Sequence, residues 1–390
     1  MALLRLRRHY GKRKMKVGFL VSEIAKWKGQ SLYELMDNSN KYEPVILVYP
    51  TKKEVKEDIS IQLNNISEKL QYFCDHKMRV RSIWDVSNQR SISLSDFQID
   101  IVFYQQPWDI PPAPSPMTIA SKILTFYFPY YLVNYSNREL EMNKALHHTL
   151  FRYILLNNNQ VRLYKDIYTP WKYAGKLVGL GHPIVDKFQT PHKQKSNVNS
   201  VIYAPHFTFP VSNVEREIYY STFLETGSFI LEYAKKHPEI NWVFKPHPRL
   251  RRELVETQVW TKQEVDDYYA EWETIGTSCY TSDYIELFLD SMAMITDCGS
   301  FLTEYSCTGN PLIHLVPGKR PSEPNPALEG LFKTFYEAPN NTTLTELLDS
   351  IILNGQDPKK EERKIFLQKS GLMGNYAAQN ILDYIDKLLR

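Results

Sequence analysis

The stretch MAMITDCGSFLTEYSCTGNPLIHLV, residues 292–316, decides the fold class. Its first five residues, Met292–Thr296, form an apolar run that predicts a buried strand, and Phe301–Thr308 has the character of a short helix. A second apolar run, Pro311–Val316, predicts the next strand. A strand, a helix and another strand in succession form the βα unit of a parallel sheet, whose strands are apolar throughout because both faces are buried.

The same alternation fills the rest of the chain in two blocks. In the first block, strands are predicted at Lys16–Glu23, Pro44–Pro50, Ile99–Pro107 and Ile123–Val133, and helices at Ser31–Asn38, 55–78 and Asn137–Leu156. Before the opening stretch, the second block adds a strand at Val201–His206, a helix at Glu215–His237 and a strand at Asn241–Pro248. Two such blocks predict an α/β protein with two doubly wound, Rossmann-like parallel-sheet domains that face each other across a cleft.

Length and composition predict where the domains begin and end. A chain of 390 residues is too long for one ordinary hydrophobic core. Residues 186–199 are polar with almost no aliphatic side chain, which predicts a linker. We therefore expect a basic tail at 1–15, an N-terminal domain at 16–185, a C-terminal domain at 200–372, and a final helix at 373–390 that packs back toward the N-terminal domain.

The charge of the chain limits its partners. A net charge of +3 and an isoelectric point of about 8.4 are too mild for nucleic-acid binding, so no nucleic-acid partner is expected. Residues 5–16 nevertheless carry seven Lys and Arg and no acid. This segment predicts either peripheral binding to an anionic membrane surface, at about 1 kcal/mol per cation, or a solvated, frayed terminus. With neither a secretory signal nor an apolar spanning run, the sequence predicts a cytoplasmic protein that binds the inner face of the plasma membrane at most peripherally.

Cofactor signals are weak in this sequence. It contains no GxGxxG fingerprint, which argues against a dinucleotide-dependent oxidoreductase. The four cysteines lack the paired spacing of a zinc site. No cofactor is firmly implied and no metal ligands are assigned, although a divalent metal stays open.

Two histidines follow predicted strands of the second block. His206 ends the strand in YAPHF, residues 203–207, and either faces the cleft and contacts a phosphate or simply ends the strand. His247 stands between two prolines in FKPHPRLR, residues 244–251. Four cations surround it in the sequence, namely Lys245, Arg249, Arg251 and Arg252. A rigid imidazole of this kind can donate a hydrogen bond to a departing diphosphate. An ordinary solvated turn without a role in binding has the same sequence pattern.

The opening stretch supplies a third strand end. Asp297 follows the strand, Gly299 allows a tight turn, and Ser300 occupies the expected N-cap of the next helix. The free N–H groups and positive end of a helix bind phosphate without side-chain charge, although an ordinary capped helix has the same pattern. Glu304 lies one turn into the helix, within reach of ribose hydroxyls. Because strand ends converge on one crevice in a doubly wound sheet, the three motifs together predict a phosphate site.

In combination, these motifs resemble the CDP-glycerol glycerophosphotransferases, which build teichoic-acid-like and capsular polymers on a GT-B scaffold. The matching elements occur in the family's order, namely LVGLGHPIVDKF (177–188), VIYAPHF (201–207), KPHP (245–248) and SDYIELFLDSMAMITDCGSFLTEYSCTGNPLIHL (282–315). The resemblance covers the second half of the chain by motif and the first half only as architecture. It makes the N-terminal domain the acceptor side and the C-terminal domain the nucleotide-donor side.

The resemblance also assigns roles to residues. His247 and Ser300 would hold the diphosphate, and Asp297, Thr303 and Glu304 would complete the nucleotide pocket. Gly299 replaces the first of the family's two serines, which removes one hydroxyl.

The first domain departs from the family's pattern. Many members place a basic histidine in a tryptophan-histidine-glycine segment, where this chain reads YQQPWDIP (104–111). Gln105, Gln106 or Asp109 would then face the acceptor, and Asp109 is preferred as the base because a carboxylate accepts a proton and an amide does not.

Three functions fit these patterns. The first is transfer of glycerol phosphate or ribitol phosphate from a CDP-activated donor to a hydroxyl of a cell-surface glycan or its lipid-linked precursor, with release of CMP. The second is a GT-B glycosyltransferase that uses a nucleotide sugar, such as a CMP-activated sialic acid or Kdo. The third is a non-catalytic nucleotide-binding subunit of a polymer-assembly complex, which the missing first-domain histidine favours.

Overall fold

The computed structural model describes residues 1–132, 145–168, 174–189, 199–211, 219–280, 284–317 and 325–390. These residues divide into two compact units. The first unit contains 1–132, 145–168, 174–187 and 375–390, and the second contains 188–189, 199–211, 219–280, 284–317 and 325–374. Each unit is built on one parallel sheet, as the sequence predicted for the fold class.

The first unit has a seven-stranded parallel sheet in the order β3-β2-β1-β6-β7-β8-β9 and a small hairpin, β4-β5. Its strands are β1 (Met15–Val21), β2 (Tyr42–Val48), β3 (Val80–Ser82), β4 (Trp84–Asp85), β5 (Arg90–Ser91), β6 (Ile101–Tyr104), β7 (Leu124–Tyr127), β8 (Arg152–Leu155) and β9 (Leu177–Gly179). Its α-helices are α1 (Ala2–His9), α2 (Gln30–Asp37), α3 (Ile59–Asp75), α4 (Pro116–Ile119), α5 (Ala145–Thr149), α6 (Asn158–Tyr168), α7 (Pro183–Lys187) and the C-terminal α16 (Ala377–Leu389). Short 3-10 turns occur at Ile24–Lys26, Glu54–Lys56 and Ala174–Lys176.

The second unit has a six-stranded parallel sheet in the order β12-β11-β10-β13-β14-β15. Its strands are β10 (Ser200–Ala204), β11 (Asn241–Phe244), β12 (Thr277–Ser278), β13 (Ser291–Thr296), β14 (Leu312–Leu315) and β15 (Tyr336–Ala338). Its α-helices are α8 (Phe223–Lys236), α9 (Leu250–Glu256), α10 (Lys262–Ile275), α11 (Ile285–Leu289), α12 (Gly299–Ser306), α13 (Glu329–Lys333), α14 (Asn341–Leu347) and α15 (Lys360–Ser370), with a π-helical turn at Leu348–Leu353.

Alternating apolar side chains give the first sheet a core on each face. In β6, Ile101 and Phe103 belong to one buried cluster, and Val102 and Tyr104 belong to another. Successive residues of a strand point to opposite faces, so a strand that is apolar throughout needs cover on both sides. Phe103 stacks on Phe19 of β1, with ring centroids 5.0 Å apart. The two clusters make this sheet doubly wound.

Aromatic packing also fixes the second sheet. Phe244 of β11 stacks on Trp272 of α10, with 4.9 Å between the ring centroids. Tyr203 of β10 packs against the same phenylalanine at 5.9 Å. The opposite face buries Ile202 and Val243. Large aromatic side chains supply much buried apolar area each, which suits strands of only four or five residues.

Several predicted boundaries differ from the structure. Arg152–Leu155 is strand β8, although the sequence predicted a helix through Leu156, because the run RYILL fits a buried strand as well as a helix. Asp186 and Lys187 end helix α7, so they are not part of a polar linker. Residues 137–144 of a predicted helix, 190–198 of the predicted linker and 215–218 of a predicted helix lie outside the described residues.

The basic N-terminal segment is folded. Ala2–His9 forms α1, which buries Ala2 and Leu6 in the core of the first unit. Arg7 donates a hydrogen bond to the carbonyl of Leu388 in α16, at 2.9 Å. Of the two alternatives for the basic segment, a frayed and solvated terminus does not fit the structure, because two apolar residues one turn apart anchor this helix to the first unit.

The segment GHPIVD, residues 181–186, has a structural role in the first unit. The carboxylate of Asp186 accepts the backbone N–H groups of Ala377 and Ala378, each at 2.8 Å, at the start of α16. Gly181 has φ +99°, and a Cβ there would lie 2.7 Å from the Cβ of Ala377. The segment thus docks the C-terminal helix, whose Ile381 and Ile385 are fully buried.

No helix in the described ranges is both long and apolar enough to cross a membrane.

Replacing Asp186 by alanine should destabilise the first unit by about 1–2 kcal/mol, the cost of losing a side-chain cap at a helix N-terminus. Urea unfolding followed by circular dichroism measures this loss. The matched control is Asp383→Ala on the exposed face of α16, where the carboxylate only accepts from Gln379. Equal stabilities for the two variants would show that Asp186 does not hold the helix.

Candidate functional site

Three strand ends meet side by side in the second unit. β10 lies between β11 and β13, and Tyr203 pairs with Phe244 while Ala204 pairs with Thr296. Because the strands are parallel and end at the same level, the residues that follow them lie at one edge of the sheet. Those residues are His206 after β10, Lys245 and His247 after β11, and Asp297 after β13.

The carboxylate of Asp297 links two segments of this site by hydrogen bonds, the loop of His206 and the residue before α8. Its side chain is buried, and one carboxylate oxygen accepts the backbone N–H of His206 at 2.6 Å. The other oxygen accepts the N–H of Thr222 at 2.7 Å and its hydroxyl at 3.1 Å. Burial raises the pKa of Asp297 to about 6, against the opposing effect of these hydrogen bonds. The carboxylate therefore fixes the loop of His206 relative to the start of α8.

His247 is held as a neutral hydrogen-bond donor. Its Nδ1 accepts the backbone N–H of Arg249 at 3.1 Å, so the neutral ring carries its proton on Nε2. Burial, followed by the charges of Arg249 and Lys245, lowers the pKa of His247 to about 4. The loop itself is anchored where the N–H of His247 donates to the carbonyl of Pro205 at 3.0 Å.

His206 has the same tautomer and lies next to His247. Its Nδ1 accepts the backbone N–H of Thr208 at 3.3 Å and contacts the Thr208 hydroxyl at 2.9 Å. The ring centroids of His206 and His247 are 4.9 Å apart, and Phe207 packs on His247 at 4.4 Å. The rings of His206 and His247 thus belong to one cluster, and contact of His206 with a phosphate stays a prediction.

Two of the four predicted cations lie at this cluster. Lys245 is buried, and its Nζ lies 5.4 Å from the ring centroid of Tyr284. Arg249 is half exposed and stacks on Phe207, with its guanidinium carbon 4.4 Å from the ring centroid. Arg251 pairs with Asp266 at 2.7 Å and Arg252 with Glu256 at 3.4 Å, and Arg249 itself lies 3.6 Å from Glu253. Lys245 and Arg249 are the cations whose charge lowers the pKa of His247, and a place for Arg251 and Arg252 beside it stays a prediction.

Helix α12 begins at Gly299, two residues after Asp297. Its N-cap is Cys298, which corrects the assignment of Ser300 as the cap, and Gly299 is not among the glycines with positive φ. Ser300 is exposed in the first turn, and its hydroxyl lies 3.5 Å from the Cys298 thiol. The first N–H groups of an α-helix have no intrahelical acceptor, so the start of α12 can bind an anion.

Thr303 and Glu304 lie inside the fold. Both side chains are buried, and the carboxylate of Glu304 accepts a hydrogen bond from the hydroxyl of Tyr284. The ring of Tyr284 in turn contacts Lys245, so Glu304 holds in place the ring that packs against this cation. Direct contact of Thr303 and Glu304 with a nucleotide stays a prediction.

The first unit has its own polar strand end, after β6. Gln105 is buried, its Oε1 accepts the N–H of Lys28 at 2.8 Å, and within the described ranges its Nε2 is buried without a hydrogen-bond partner. Gln106 donates to the carbonyl of Trp108 at 3.0 Å. Asp109 is partly exposed and has φ +59°, a conformation that an aspartate tolerates better than most residues. These residues lie together at the carboxyl end of β6.

A partly exposed aromatic pair beside this strand end was not assigned a role from the sequence. Trp108 and Tyr130 pack edge to face at 5.9 Å, and Lys26 lies over both rings at 5.5 and 5.3 Å. The closest available signal for Trp108 was the segment YQQPWDIP at 104–111, where the sequence analysis assigned roles to Gln105, Gln106 and Asp109 but not to the tryptophan.

In the second unit, Thr222 and Tyr284 were missed as well. Each belongs to a segment far from its partner in sequence, so spacing gave no signal for it.

Within the ranges that the structure covers, no group of three or more His, Cys, Asp or Glu side chains is placed to hold a metal ion.

Comparison with known proteins identifies the fold. No protein-family model matches the chain, and no curated protein matches it. Among solved structures, UDP-GlcNAc 2-epimerase from Methanocaldococcus jannaschii is similar with a TM-score of 0.57 and 14% identity, over 96% of this chain and 100% of that one. UDP-GlcNAc 2-epimerase from Neisseria meningitidis, bound to UDP-GlcNAc, gives 0.55 and 14%, over 96% and 100%. The wall teichoic acid polymerase TagF gives 0.55 and 13%, over 98% and 90%. The chain therefore has the two-sheet α/β architecture of GT-B enzymes.

Replacing Asp297 by asparagine should lower the free energy of unfolding by about 1–3 kcal/mol, because an amide nitrogen would then face a backbone N–H donor in a buried place. Denaturant unfolding measures the change. The control is Asp267→Asn on α10, an exposed carboxylate that accepts only from Gln263. If both variants unfold at the same denaturant concentration, Asp297 does not hold the loops.

The imidazole of His247 should stay neutral down to about pH 5 in the free protein, because its pKa is lowered to about 4 by burial and two cations. A histidine NMR titration measures the midpoint, and His247→Ala assigns the signal. A midpoint near the ordinary value of about 6.5 would contradict the buried, neutral state.

Proposed function

We propose that this protein transfers glycerol phosphate or ribitol phosphate from a CDP-activated donor to a hydroxyl of a cell-surface glycan or its lipid-linked precursor, and releases CMP. The observation that carries the proposal is the cluster after β10, β11 and β13, where the imidazoles of His206 and His247 lie beside Lys245 and Arg249. Groups of this kind recognise phosphate rather than an uncharged ligand.

The second unit would bind the diphosphate of the donor. The Nε2–H groups of His206 and His247 donate to phosphate oxygens, and Lys245 and Arg249 offset the negative charge. Ser300 and the first N–H groups of α12 add donors without further charge. Gly299, Thr303 and Glu304 shape the start of this helix and its supports, and Asp297 holds the loop of His206 in place.

The reaction is a phosphoryl-type transfer that needs positioning more than covalent chemistry. The acceptor oxygen forms a bond to the β-phosphorus in line with the bond that breaks, which joins this phosphorus to the oxygen bridging the two phosphates. The bridging oxygen leaves with CMP and carries the new negative charge. His247 is suited to stabilise that charge because its donor proton is already in place at neutral pH.

The first unit would bind the acceptor. Gln105 and Gln106 offer amide groups, and Asp109 stays the candidate base that takes the proton of the attacking hydroxyl. Trp108 and Tyr130 provide partly exposed aromatic rings, a surface suited to the apolar face of a sugar.

The similar structures fit a nucleotide-activated donor but leave its identity open. TagF is a wall teichoic acid polymerase, which agrees with an alditol-phosphate polymer as product. The epimerases act on UDP-GlcNAc, which keeps a nucleotide sugar as the second candidate donor. No cofactor is assigned.

The donor can be tested by incubating the purified protein separately with CDP-glycerol, CDP-ribitol, CMP-activated sugars and UDP-GlcNAc, each with a glycan acceptor. We expect CMP release and a phosphate-linked product with one CDP-alditol. CMP release and sugar transfer with a CMP sugar would show a glycosyltransferase instead. Nucleotide binding without a product under any acceptor would show a non-catalytic subunit.

Replacing His247 by alanine should lower the turnover number about 100-fold, the scale for removing one preorganised donor to a developing anion. His247→Gln should retain more activity than His247→Ala, because the amide N–H of glutamine occupies the place of Nε2–H. His237→Ala, at the far end of α8, is the matched control and should keep full activity. If folded His247→Ala turns over like the unsubstituted protein, His247 has no role in the transfer.

A further inference from the structure

The amino ends of the first unit's strands form a basic pocket that the proposed transfer does not use. The pocket has a volume of about 780 Å3 and lies where β1, β6 and β7 begin. Gln105, Gln106 and Asp109 follow the carboxyl end of β6, so the pocket is at the opposite edge of the same sheet.

Positive charge dominates the walls of this basic pocket. Its cations are Arg5, Arg13, Lys14, Lys16 and Lys122, and its acids are Glu43 and Asp100, which leaves a net charge of five minus two, or +3. Asp100 is already engaged, because Arg13 donates to its two oxygens at 2.6 and 2.8 Å. Arg5 also lies 3.9 Å from Asp100, so three further cations, Lys14, Lys16 and Lys122, share the pocket with Glu43.

The basic pocket is built into the fold rather than carried on a tail. Arg5 of α1 donates to the carbonyl of Lys122 at 2.7 Å, which ties the helix to the turn before β7. Lys16 is in β1 and donates to Gln98 at 3.3 Å. A smaller pocket of about 290 Å3 shares Lys16 and Glu43 and adds Arg79 and Arg81 at β3. The positive edge thus continues along the sheet.

Exposed apolar side chains lie close in sequence to residues that line the basic pocket. Met1 and Leu4 are 96% and 63% exposed next to Arg5, and Met117 is 71% exposed next to Thr118, which lines the pocket. Exposure of these apolar side chains to water is unfavourable. Large apolar side chains beside clustered Lys and Arg are typical of surfaces that contact the interface of an anionic bilayer.

We propose that this edge of the first unit binds an anionic phospholipid membrane. The basic pocket receives the phosphate of a lipid headgroup, and Met1, Leu4 and Met117 enter the interfacial layer. Binding is independent of the donor chemistry, since none of these residues belongs to the site proposed for transfer. The membrane contact predicted from residues 5–16 thus becomes a folded surface that also includes Lys122 and Met117.

The test is sedimentation of the full chain with vesicles of phosphatidylcholine, with and without phosphatidylglycerol, at low salt. We expect binding only to the vesicles that contain phosphatidylglycerol. The double variant Lys14→Ala/Lys122→Ala should weaken it about 25-fold, at roughly fivefold for each charge removed near an anionic surface. Leu4→Ser/Met117→Ser should also weaken binding, with no loss of net charge.

The matched control is Lys360→Ala/Lys364→Ala, which removes two exposed lysines from α15 in the second unit. Equal weakening by both lysine pairs, or equal binding to both kinds of vesicle, would overturn the proposal. A second experiment measures binding of inorganic phosphate and of glycerol phosphate to the protein. If the basic pocket binds these ions but the protein does not bind vesicles, the pocket is a site for soluble anions instead.

Measuring nucleotide binding in solution tests the membrane surface and the proposed transfer site independently of each other. Lys14→Ala/Lys122→Ala should bind CDP and CMP as the unsubstituted protein does, measured by calorimetry. Loss of vesicle binding with retained nucleotide binding supports the membrane surface whichever donor the enzyme uses. A variant that loses nucleotide binding as well would contradict the separation of the two sites.

Discussion

The candidate site depends on one buried carboxylate. Asp297 accepts three hydrogen bonds from His206 and Thr222, two segments that approach it from different parts of the chain. A buried charge is costly unless it is hydrogen-bonded in this way, so the two loops and the carboxylate require one another. His206 and, through ring packing, His247 take their positions from this arrangement.

The sequence predicted what depends on local pattern and missed what depends on distant contacts. Apolar runs that end in polar residues correctly located His206, His247 and Asp297 after buried strands, because parallel strands must be apolar on both faces. The cap of α12 was misplaced by two residues, since Cys298 has no side-chain preference that marks a helix start. Thr222 and Tyr284 could not be found from spacing, because tertiary folding alone brings them to Asp297 and Lys245.

The direction of the parallel strands separates the two surfaces proposed for the first unit. β1 has seven residues, and at about 3.3 Å per residue it spans roughly 20 Å between its ends. The basic pocket lies at the amino ends, and Gln105 follows a carboxyl end. The two proposed surfaces are therefore separated by the length of a strand, and a ligand at one edge does not contact the residues at the other.

The C-terminal helix has a consequence for how the first unit folds. Helix α16 supplies Ile381, Ile385 and Leu389 to the core of the first unit, although residues 188–374 of the second unit separate it from the other segments of that core. Contacts between segments so far apart in sequence form slowly, because the entropy of closing the intervening loop is lost before the contacts are gained. The first unit is therefore discontinuous in sequence, and its core closes only when both of its segments are present.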